Sequence, residues 1–316
     1  MQKEQMVKIL FTADIHIKLN QKNVPVEWAR NRYRMFHEQL LEASHGVDAI
    51  VLGGDIFDRV PTLEELSIYF DLLSYLRKPT WIIDGNHEAS KKGKTFLSYL
   101  KGPTSELNTL VNIVDSVEIH EDFSFLPYCE LHKKNITDSI PGDRPLFTHV
   151  RGEIPPHVKP EVDLAIFDKF PVVFAGDLHS HSNTQRNIVY PGSPMTTSFH
   201  RNEVDTGYLL IDGLNWTWHK FKLPQLIRKT VNDPSEMIPT SYHHTVYELE
   251  GDAVSLSKVR NTDLLDKKLI KKASEATLVL NPKMSMVEEL VEYLRYVLEL
   301  PDSSIEEIVK VYNDYS

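Results

Sequence analysis

Five short apolar runs in the first 180 residues are each followed by side chains that can bind a metal ion. The runs are ILFTA, AIVLG, TWIID, RPLFT and PVVFA, which start at residues 9, 49, 80, 144 and 171. The side chains that follow them are those of Asp14, His16, Asp55, Asn86, His87, Glu88, His149, Asp177 and His179. Because the carboxyl ends of parallel strands lie at one edge of an open sheet, we expect these groups to converge there. A single strand-end Asp is as readily a helix cap, whereas the ordered set of five predicts a site.

The segments between the first three runs favour a parallel sheet. Residues 25–44 carry apolar positions at helical spacing with Pro25 in the first turn, and Thr62 with Glu65 forms a capping box before a second helix. A strand-helix-strand-helix-strand order predicts right-handed crossovers. Further strand-like runs in the middle of the chain predict a second packed sheet with helices outside. The predicted fold class is therefore α+β or α/β.

Composition restricts the function and the location of the chain. The 316 residues have a formal charge of -10, from 35 Lys and Arg against 45 Asp and Glu, so the overall balance disfavours autonomous nucleic-acid binding. The single cysteine, Cys129, cannot form an internal disulfide, which fits a reducing compartment. The sequence shows neither a signal-peptide pattern nor an apolar run of membrane-spanning length. We therefore expect a cytoplasmic, intracellular protein that is not secreted and has no membrane partner.

The predicted donors are carboxylate, amide and imidazole groups without a thiolate. Such a set suits Mn²⁺, Fe or Zn²⁺ better than Ca²⁺ or a structural zinc. Six or seven donors exceed the needs of one ion, which predicts two divalent ions about 3.5–4 Å apart with a bridging carboxylate. Two ions so placed can hold both the attacking and the leaving oxygen of a phosphoryl group.

The motifs D-x-H, GD-x-FD, GNH-E, a lone His and G-x-x-H occur in this order and resemble those of the calcineurin-like metallophosphoesterase superfamily. The segments VDAIVLGGDIFDRVPT, FSFLPY and VYPGSPMTTSF are similar to segments of its SbcD-type, or meiotic-recombination-eleven, DNA repair nucleases, including phage recombination endonuclease subunits. The resemblance extends over about residues 7–223. It implies a four-layer αββα sandwich for residues 1–223, a small DNA-contacting capping region for 224–283 and C-terminal helices for 284–316.

The resemblance also implies roles for single residues. One metal ion would be bound by Asp14, His16 and His179, the other by Asn86 and His149, and Asp55 would bridge them. The cofactor implied is a pair of divalent ions, Mn²⁺ first, with Mg²⁺, Fe or Zn²⁺ as alternatives. His87 would lie over the scissile phosphate, since an unligated imidazole can transfer protons near neutral pH. Glu88 would orient His87 or, alternatively, place a charge at a helix N-terminus.

Asp177 departs from the family pattern. The last motif usually reads G-H-x-H, and Asp177 occupies the position of its first His. A carboxylate is an acceptable Mn²⁺ ligand, so a ligand swap is the favoured interpretation. The alternatives are a loosened second site or replacement of the ligand by His181.

Further residues are candidates for substrate binding. His181 is expected on the substrate side or at the surface, and Arg59 would contact phosphate or form a surface ion pair. Lys91, Lys92 and Lys94 follow the GNH motif and would contact a DNA backbone or lie in a solvated loop.

Three functions are compatible with these features. The first is a metal-dependent DNA exonuclease and endonuclease that acts through a two-metal-activated water in recombination, repair or end processing. By resemblance, its partners would be DNA, an SbcC-type coiled-coil ABC ATPase that binds the C-terminal helices, and a second copy of the chain in a homodimer. The second function is another metallophosphoesterase, acting on phosphomonoesters or nucleotides. The third is a non-catalytic DNA-binding scaffold subunit.

Overall fold

The computed structural model describes residues 7–89, 95–270 and 284–315. Its helices are α1 (Val26–Ala43), α2 (Leu63–Tyr75), α3 (Phe96–Leu107), α4 (Tyr128–Leu131), α5 (Ala253–Lys258), α6 (Met286–Tyr296) and α7 (Asp302–Tyr315). The strands before residue 150 are β1 (Lys8–Thr12), β2 (Ala49–Gly53), β3 (Thr80–Ile83), β4 (Val111–Val114), β5 (Glu118–Ile119), β6 (Ser124–Leu126) and β7 (Leu146–His149). The later strands are β8 (Val173–Gly176), β9 (Ile188–Val189), β10 (Gly207–Asp212), β11 (Asn215–Lys220), β12 (Leu226–Val231), β13 (His244–Gly251) and β14 (Leu265–Ile270).

Two sheets carry the five apolar runs. The first has the order β11-β10-β1-β2-β3-β4, in which β1 to β4 are parallel and β10 and β11 are antiparallel. The second has the order β5-β6-β7-β8-β9, in which β6 to β9 are parallel. A third, three-stranded sheet has the order β12-β13-β14.

The alternation of side chains along β1 explains how these layers stack. Ile9 and Phe11 face the second sheet, and the Phe11 ring lies 5.4 Å from that of Phe147 on β7. Leu10 faces the opposite way and joins a core with Tyr33 and Phe36 of α1. Successive strand residues point to opposite faces, so both faces of this strand are buried and its sequence is apolar throughout.

The outer face of the second sheet is covered by shorter elements. Leu146 and Val173 pack there with Leu131 of α4 and with Leu164 and Phe167 of a 3-10 turn. The order of layers is therefore helices, sheet, sheet and short helical segments. The predicted α/β sandwich is confirmed.

Local signals also define the helices. Thr62 accepts a hydrogen bond from the Glu65 amide while Glu65 reaches back to the Thr62 amide, which confirms the predicted capping box of α2. Pro25 is the residue directly before α1. None of the described helices combines the length and the apolar character needed to cross a membrane.

The described residues fall into two compact units, one within residues 1–248 and 261–267, the other within 249–260 and 268–316. The predicted divisions after residues 223 and 283 stay predictions. In the second unit, α6 begins with a capping box between Ser285 and Glu288.

Candidate metal centre

The loops that follow the strands hold four of the predicted ligands in left-handed backbone conformations. The φ angles are 60° at Asp14, 48° at His16, 50° at Asp55 and 100° at Asp177. L-residues rarely adopt φ above zero, and such conformations cluster at functional sites because the surrounding fold must hold them. These strained residues therefore lie where strands of both sheets end, directly after the apolar runs.

A first group of donors consists of Asp14, His16 and His179, whose ligand atoms lie within 4.8 Å of one another. The Nε2 atoms of the two imidazoles are 3.1 Å apart. Two nitrogens bound tetrahedrally to one ion at about 2.1 Å would be separated by about 3.4 Å, so the spacing fits a shared cation. The Thr197 hydroxyl lies 3.1 Å from His179 Nδ1 and orients that ring.

A second group is formed by Asp14, Asp55 and His149, again within 4.8 Å. His149 Nδ1 lies 2.9 Å from the Gly53 carbonyl oxygen, to which it donates, so Nε2 is the ring nitrogen that faces the site and could bind a cation in place of a proton. His149 Nε2 is 3.6 Å from the Asp55 carboxylate and 3.9 Å from Asp177 Oδ1. Asp55 is 1% exposed and Asp14 and His149 are fully buried, so these donors are held away from water.

The Asn86 side-chain amide lies among the same donors and can present either its oxygen or its nitrogen to them. Its Oδ1 lies 2.9 Å from His149 Nε2 and faces atoms that are themselves acceptors. Rotating the amide would let its nitrogen donate to Asp55 and Asp177 at 3.2 Å. A divalent cation would satisfy the same set of oxygens and the imidazole with Oδ1 facing inward. The carboxylate, amide and imidazole donors thus fit a divalent metal ion.

The shifted pKa values of these buried side chains also fit a cation site. Burial raises the pKa of Asp14 to about 8, with the neighbouring carboxylate of Asp55 adding to the rise. Burial alone would lower the pKa of His149, but the carboxylates of Asp55, Asp14 and Asp177 raise it to about 9. Burial lowers the pKa of His16 and His179, and the neighbouring imidazoles lower that of His16 further. Carboxylates crowded in this way are relieved by protons or by cations, so a bound cation would displace protons.

His87 lies at the rim of this group with its side chain 38% exposed. Its backbone amide donates to Asp55 Oδ1 at 2.9 Å, and its Nδ1 lies 2.7 Å from the Asp58 carbonyl oxygen. Its Nε2 is 3.9 Å from Asp55 Oδ2. The ring is therefore fixed by a backbone carbonyl while its other nitrogen is accessible from solvent.

Glu88 has contacts that differ from both roles expected from the sequence. Its carboxylate accepts hydrogen bonds from the backbone amides of Gly85 at 2.8 Å, Asp55 at 3.1 Å and Phe57 at 2.8 Å. The ring of His87 is instead oriented by the Asp58 carbonyl, and α3 begins only at Phe96. Burial raises the pKa of Glu88 to about 8, and the charge of Asp55 adds to the rise. Glu88 joins the two loops that carry Asp55 and Asn86.

Asp177 lies beside the second group and is also paired with a residue that the sequence reasoning missed. Its amide donates to the Asp14 carboxylate at 3.0 Å, and its side chain forms two contacts of 3.3 Å with the Arg151 guanidinium. Arg151 follows His149 by two residues at the same strand end, which was the signal available in the sequence.

The predicted substrate-binding residues have different surroundings. His181 Nδ1 lies 2.6 Å from the Tyr190 carbonyl oxygen and its ring packs against Trp216 and Trp218, so the ring is engaged outside the two donor groups. Arg59 bonds to the buried carboxylate of Glu65 at 3.0 Å and its side chain is 42% exposed. Lys91, Lys92 and Lys94 lie outside the described residues.

A two-sheet sandwich that gathers carboxylate, amide and imidazole donors at the carboxyl ends of its strands defines a metal-dependent phosphoesterase. The model of the calcineurin-like phosphoesterase family matches residues 7–206, and the chain therefore belongs to that family. This confirms the resemblance found in the motifs. Members of the family use divalent metals, and the two donor groups are the candidate ligands here.

Two curated relatives and one solved structure are similar to the chain. The "Probable exonuclease subunit 1" of Escherichia phage T5 is 38% identical over 327 aligned positions, covering 98% of this chain and 100% of that protein. The "Putative phosphoesterase 244L" of Invertebrate iridescent virus 6 is 28% identical over 221 positions, covering 65% of this chain and 75% of that protein. A crystal structure of TT1561 from Thermus thermophilus covers 68% of this chain and 99% of that one, with 14% identity and a TM-score of 0.43.

Proposed function

We propose that the protein is the nuclease subunit of a DNA-processing complex and hydrolyses phosphodiester bonds of DNA, as an exonuclease and an endonuclease. The observation that carries the proposal is the likeness to an exonuclease subunit over 98% of this chain. The geometry supports it, because the two donor groups and a partly exposed imidazole converge where strands of the two packed sheets end. Cleavage in recombination, repair or end processing is the context that the resemblance favours.

The residues present divide into two ligand sets around Asp55. Asp14, His16 and His179 would hold one divalent ion, and Asn86, His149 and Asp177 would hold the other. The bound ions supply activation of water and neutralisation of phosphate charge. Mn²⁺ is the proposed metal because imidazole, amide and carboxylate donors suit it.

His87 is the proposed catalytic residue. Its Nδ1–H donates to the Asp58 carbonyl, which presents Nε2 toward solvent at the edge of the ligand sets. A protonated Nε2 can donate a hydrogen bond to a phosphate oxygen and give its proton to the leaving oxygen. Glu88 acts on this geometry through the backbone, because it bonds the amides of Gly85 and Asp55.

We further propose that the protein works with a coiled-coil ATPase of the SbcC type and forms a homodimer. The phage relative is named as a subunit of an exonuclease, which favours an assembly. Helix α6 exposes Met286 and Tyr293, and Val297 and Leu298 are exposed just after it, which suits helix-in-groove binding.

A second candidate function is hydrolysis of small phosphate esters, which the likeness to a putative phosphoesterase favours. The test compares end-labelled double-stranded DNA, single-stranded DNA and p-nitrophenyl phosphate esters as substrates, each with Mn²⁺ or Mg²⁺. The nuclease proposal predicts metal-dependent DNA cleavage. Hydrolysis of the small esters without DNA cleavage supports the second candidate, and inactivity on every substrate contradicts both.

A further inference from the structure

Asp177 and Arg151 form a contact that the family pattern does not account for. The guanidinium engages the carboxylate through Nε and Nη2, both at 3.3 Å. This fork geometry is the one in which arginine binds a carboxylate with direction as well as charge. The Asp177 side chain is 6% exposed while that of Arg151 is 41% exposed. Arg151 therefore covers Asp177 on the side that faces solvent.

The backbone of Arg151 is held by a hydrogen bond to Glu161. Its backbone amide donates to Glu161 Oε1 at 2.8 Å, and the other oxygen of Glu161 accepts from the Tyr128 hydroxyl at 2.9 Å. The Tyr128 ring lies edge-on to His149 at 5.9 Å. These contacts tie Arg151 to the same strand ends that carry the second ligand set. A surface ion pair that is free to move would have no such support.

The charges of the pair explain why the two residues occur together. A neutral imidazole at position 177, as in the family motif, would leave the net charge of the site one unit more positive than Asp177 does. Arg151 restores that unit at 3.3 Å from the carboxylate. The carboxylate can then strengthen binding of a hard divalent cation while the guanidinium keeps attraction for a phosphate.

We propose that Arg151 and Asp177 act as a charge pair in which Arg151 competes with a cation at the second ligand set for the Asp177 carboxylate and binds a phosphate oxygen of the substrate. The proposal rests on the proposed nuclease function for its substrate. Nε and Nη2 of Arg151 bond to Asp177, whereas Nη1 has no hydrogen bond among the described residues. We therefore assign Nη1 to the phosphate. Arg151 would thus bind substrate phosphate and offset the charge of Asp177.

The charge pair makes a prediction that a packing role does not. Removing the guanidinium releases the carboxylate toward a cation but removes attraction for phosphate, so the two affinities change in opposite directions. A residue that only maintains the fold would weaken both affinities together. We expect each change to be about three- to tenfold, the range for one partly exposed charge.

The experiment uses the full chain with Arg151→Gln and Arg151→Lys. Calorimetry measures Mn²⁺ affinity without DNA, and fluorescence anisotropy measures affinity for a short DNA duplex in EDTA. Arg151→Gln is expected to bind Mn²⁺ more tightly and DNA more weakly, and Arg151→Lys, which keeps the charge but not the fork, is expected to lie between Arg151→Gln and the unsubstituted protein in both affinities. Arg186→Gln is the control, since Arg186 also pairs with a carboxylate, its Nη2 lying 2.6 Å from both oxygens of Asp168 in an exposed pair.

Any other combination for Arg151→Gln overturns the charge pair, including parallel weakening, parallel tightening or no change. The nuclease proposal is tested separately by cleavage with the unsubstituted protein. If that protein does not cleave DNA while Arg151→Gln still tightens Mn²⁺ binding and weakens duplex binding, the nuclease function fails and the charge pair stands.

Discussion

The Glu88 carboxylate shows how one side chain can set the geometry of two loops that carry candidate ligands. Its two oxygens serve three backbone amides, those of Gly85, Asp55 and Phe57. A glutamine has one acceptor oxygen, so its amide nitrogen would face one of these donors. We expect Glu88→Gln to lower the free energy of unfolding by about 1–3 kcal/mol. Because Asp55 would shift, Mn²⁺ affinity should fall by about tenfold.

Chemical denaturation and calorimetric Mn²⁺ titration measure the two effects. If Glu88 served only to orient the His87 ring, the variant would cleave more slowly with unchanged stability and unchanged Mn²⁺ affinity. That result would contradict the backbone role.

The buried His37 provides a test of the pH dependence of stability that does not involve the candidate metal ligands. It lies in α1, 2% exposed, with its ring 5.5 Å from that of Tyr75 and its Nε2 without a hydrogen-bond partner among the described residues. The adjoining groove is lined by the charged residues Glu27, Arg30, Arg34 and Asp71. Burial lowers the pKa of His37 from 6.5 to about 4. The folded protein therefore favours the neutral ring.

The sign of the pH dependence follows from this lowered pKa. Between pH 6.5 and about 4, the unfolded chain binds a proton at His37 that the folded chain does not, so stability is lost as the pH falls. The loss amounts to about 2–3 kcal/mol, and it ends below the folded pKa. We measure the free energy of unfolding in urea across this pH interval. We expect it to fall by about 2–3 kcal/mol less in His37→Phe than in the unsubstituted protein. The exposed His45 offers a control as His45→Gln, and equal slopes for wild type and His37→Phe would refute the argument.

The sequence indicated the candidate ligands but not the residues that hold them in place. The order of motifs predicted Asp14, His16, Asp55, Asn86, His149 and His179, and the structure brings these residues together. Arg151 was missed because its one signal, a position two residues after His149, is too weak to distinguish it from any other arginine that follows a strand. The partners of Glu88 were missed because they are backbone amides on another loop, which only the folded chain places nearby.

At the scale of secondary-structure elements, the close approach of neighbouring strand ends depends on small residues. A Cβ built on Gly85 would collide with the backbone nitrogen and the carboxylate of Asp55. We expect Gly85→Ala to displace Asp55 and to weaken Mn²⁺ binding by about 10- to 100-fold. Gly102 lies in α3, and nothing apart from its chain neighbours lies within 4 Å of an added Cβ, so Gly102→Ala is the control and should leave Mn²⁺ affinity unchanged.

Thermal unfolding and Mn²⁺ titration of both glycine variants check this expectation. Unchanged Mn²⁺ affinity in Gly85→Ala would show that the loop tolerates a side chain and that strand-end packing does not fix Asp55.

The strands and helices were the features of the fold that the sequence predicted best. The apolar runs became β1, β2, β3, β7 and β8, because a strand buried on both faces needs apolar residues throughout. The capping box at Thr62 marked the start of α2. The pairing of β1 with β10, which come from distant parts of the sequence, had no local signal and was set by tertiary packing.

At the scale of the whole molecule, the charge of -10 and the buried acidic centre make the protein a better partner for cations than for bare DNA. A cation that binds only the folded state stabilises it, by about 2.7 kcal/mol at 100 times its dissociation constant. We expect Mn²⁺ to raise the melting temperature in proportion to the logarithm of its concentration. Asp55→Asn should remove most of this shift, because Asp55 is shared by both ligand sets.

Differential scanning fluorimetry with and without EDTA measures the shift, and Ser67→Ala on the exposed face of α2 is a control for substitution itself. An equal Mn²⁺ shift in Asp55→Asn would place the cation elsewhere.

The most direct test of the account is single-turnover cleavage of end-labelled duplex DNA at saturating Mn²⁺, with the unsubstituted protein beside His87→Ala. The account predicts cleavage by the unsubstituted protein and a rate about 100- to 10,000-fold lower in the variant, with Mn²⁺ and DNA binding retained, because only proton transfer is removed. Equal rates for the two proteins, or no cleavage by the unsubstituted protein, would contradict it.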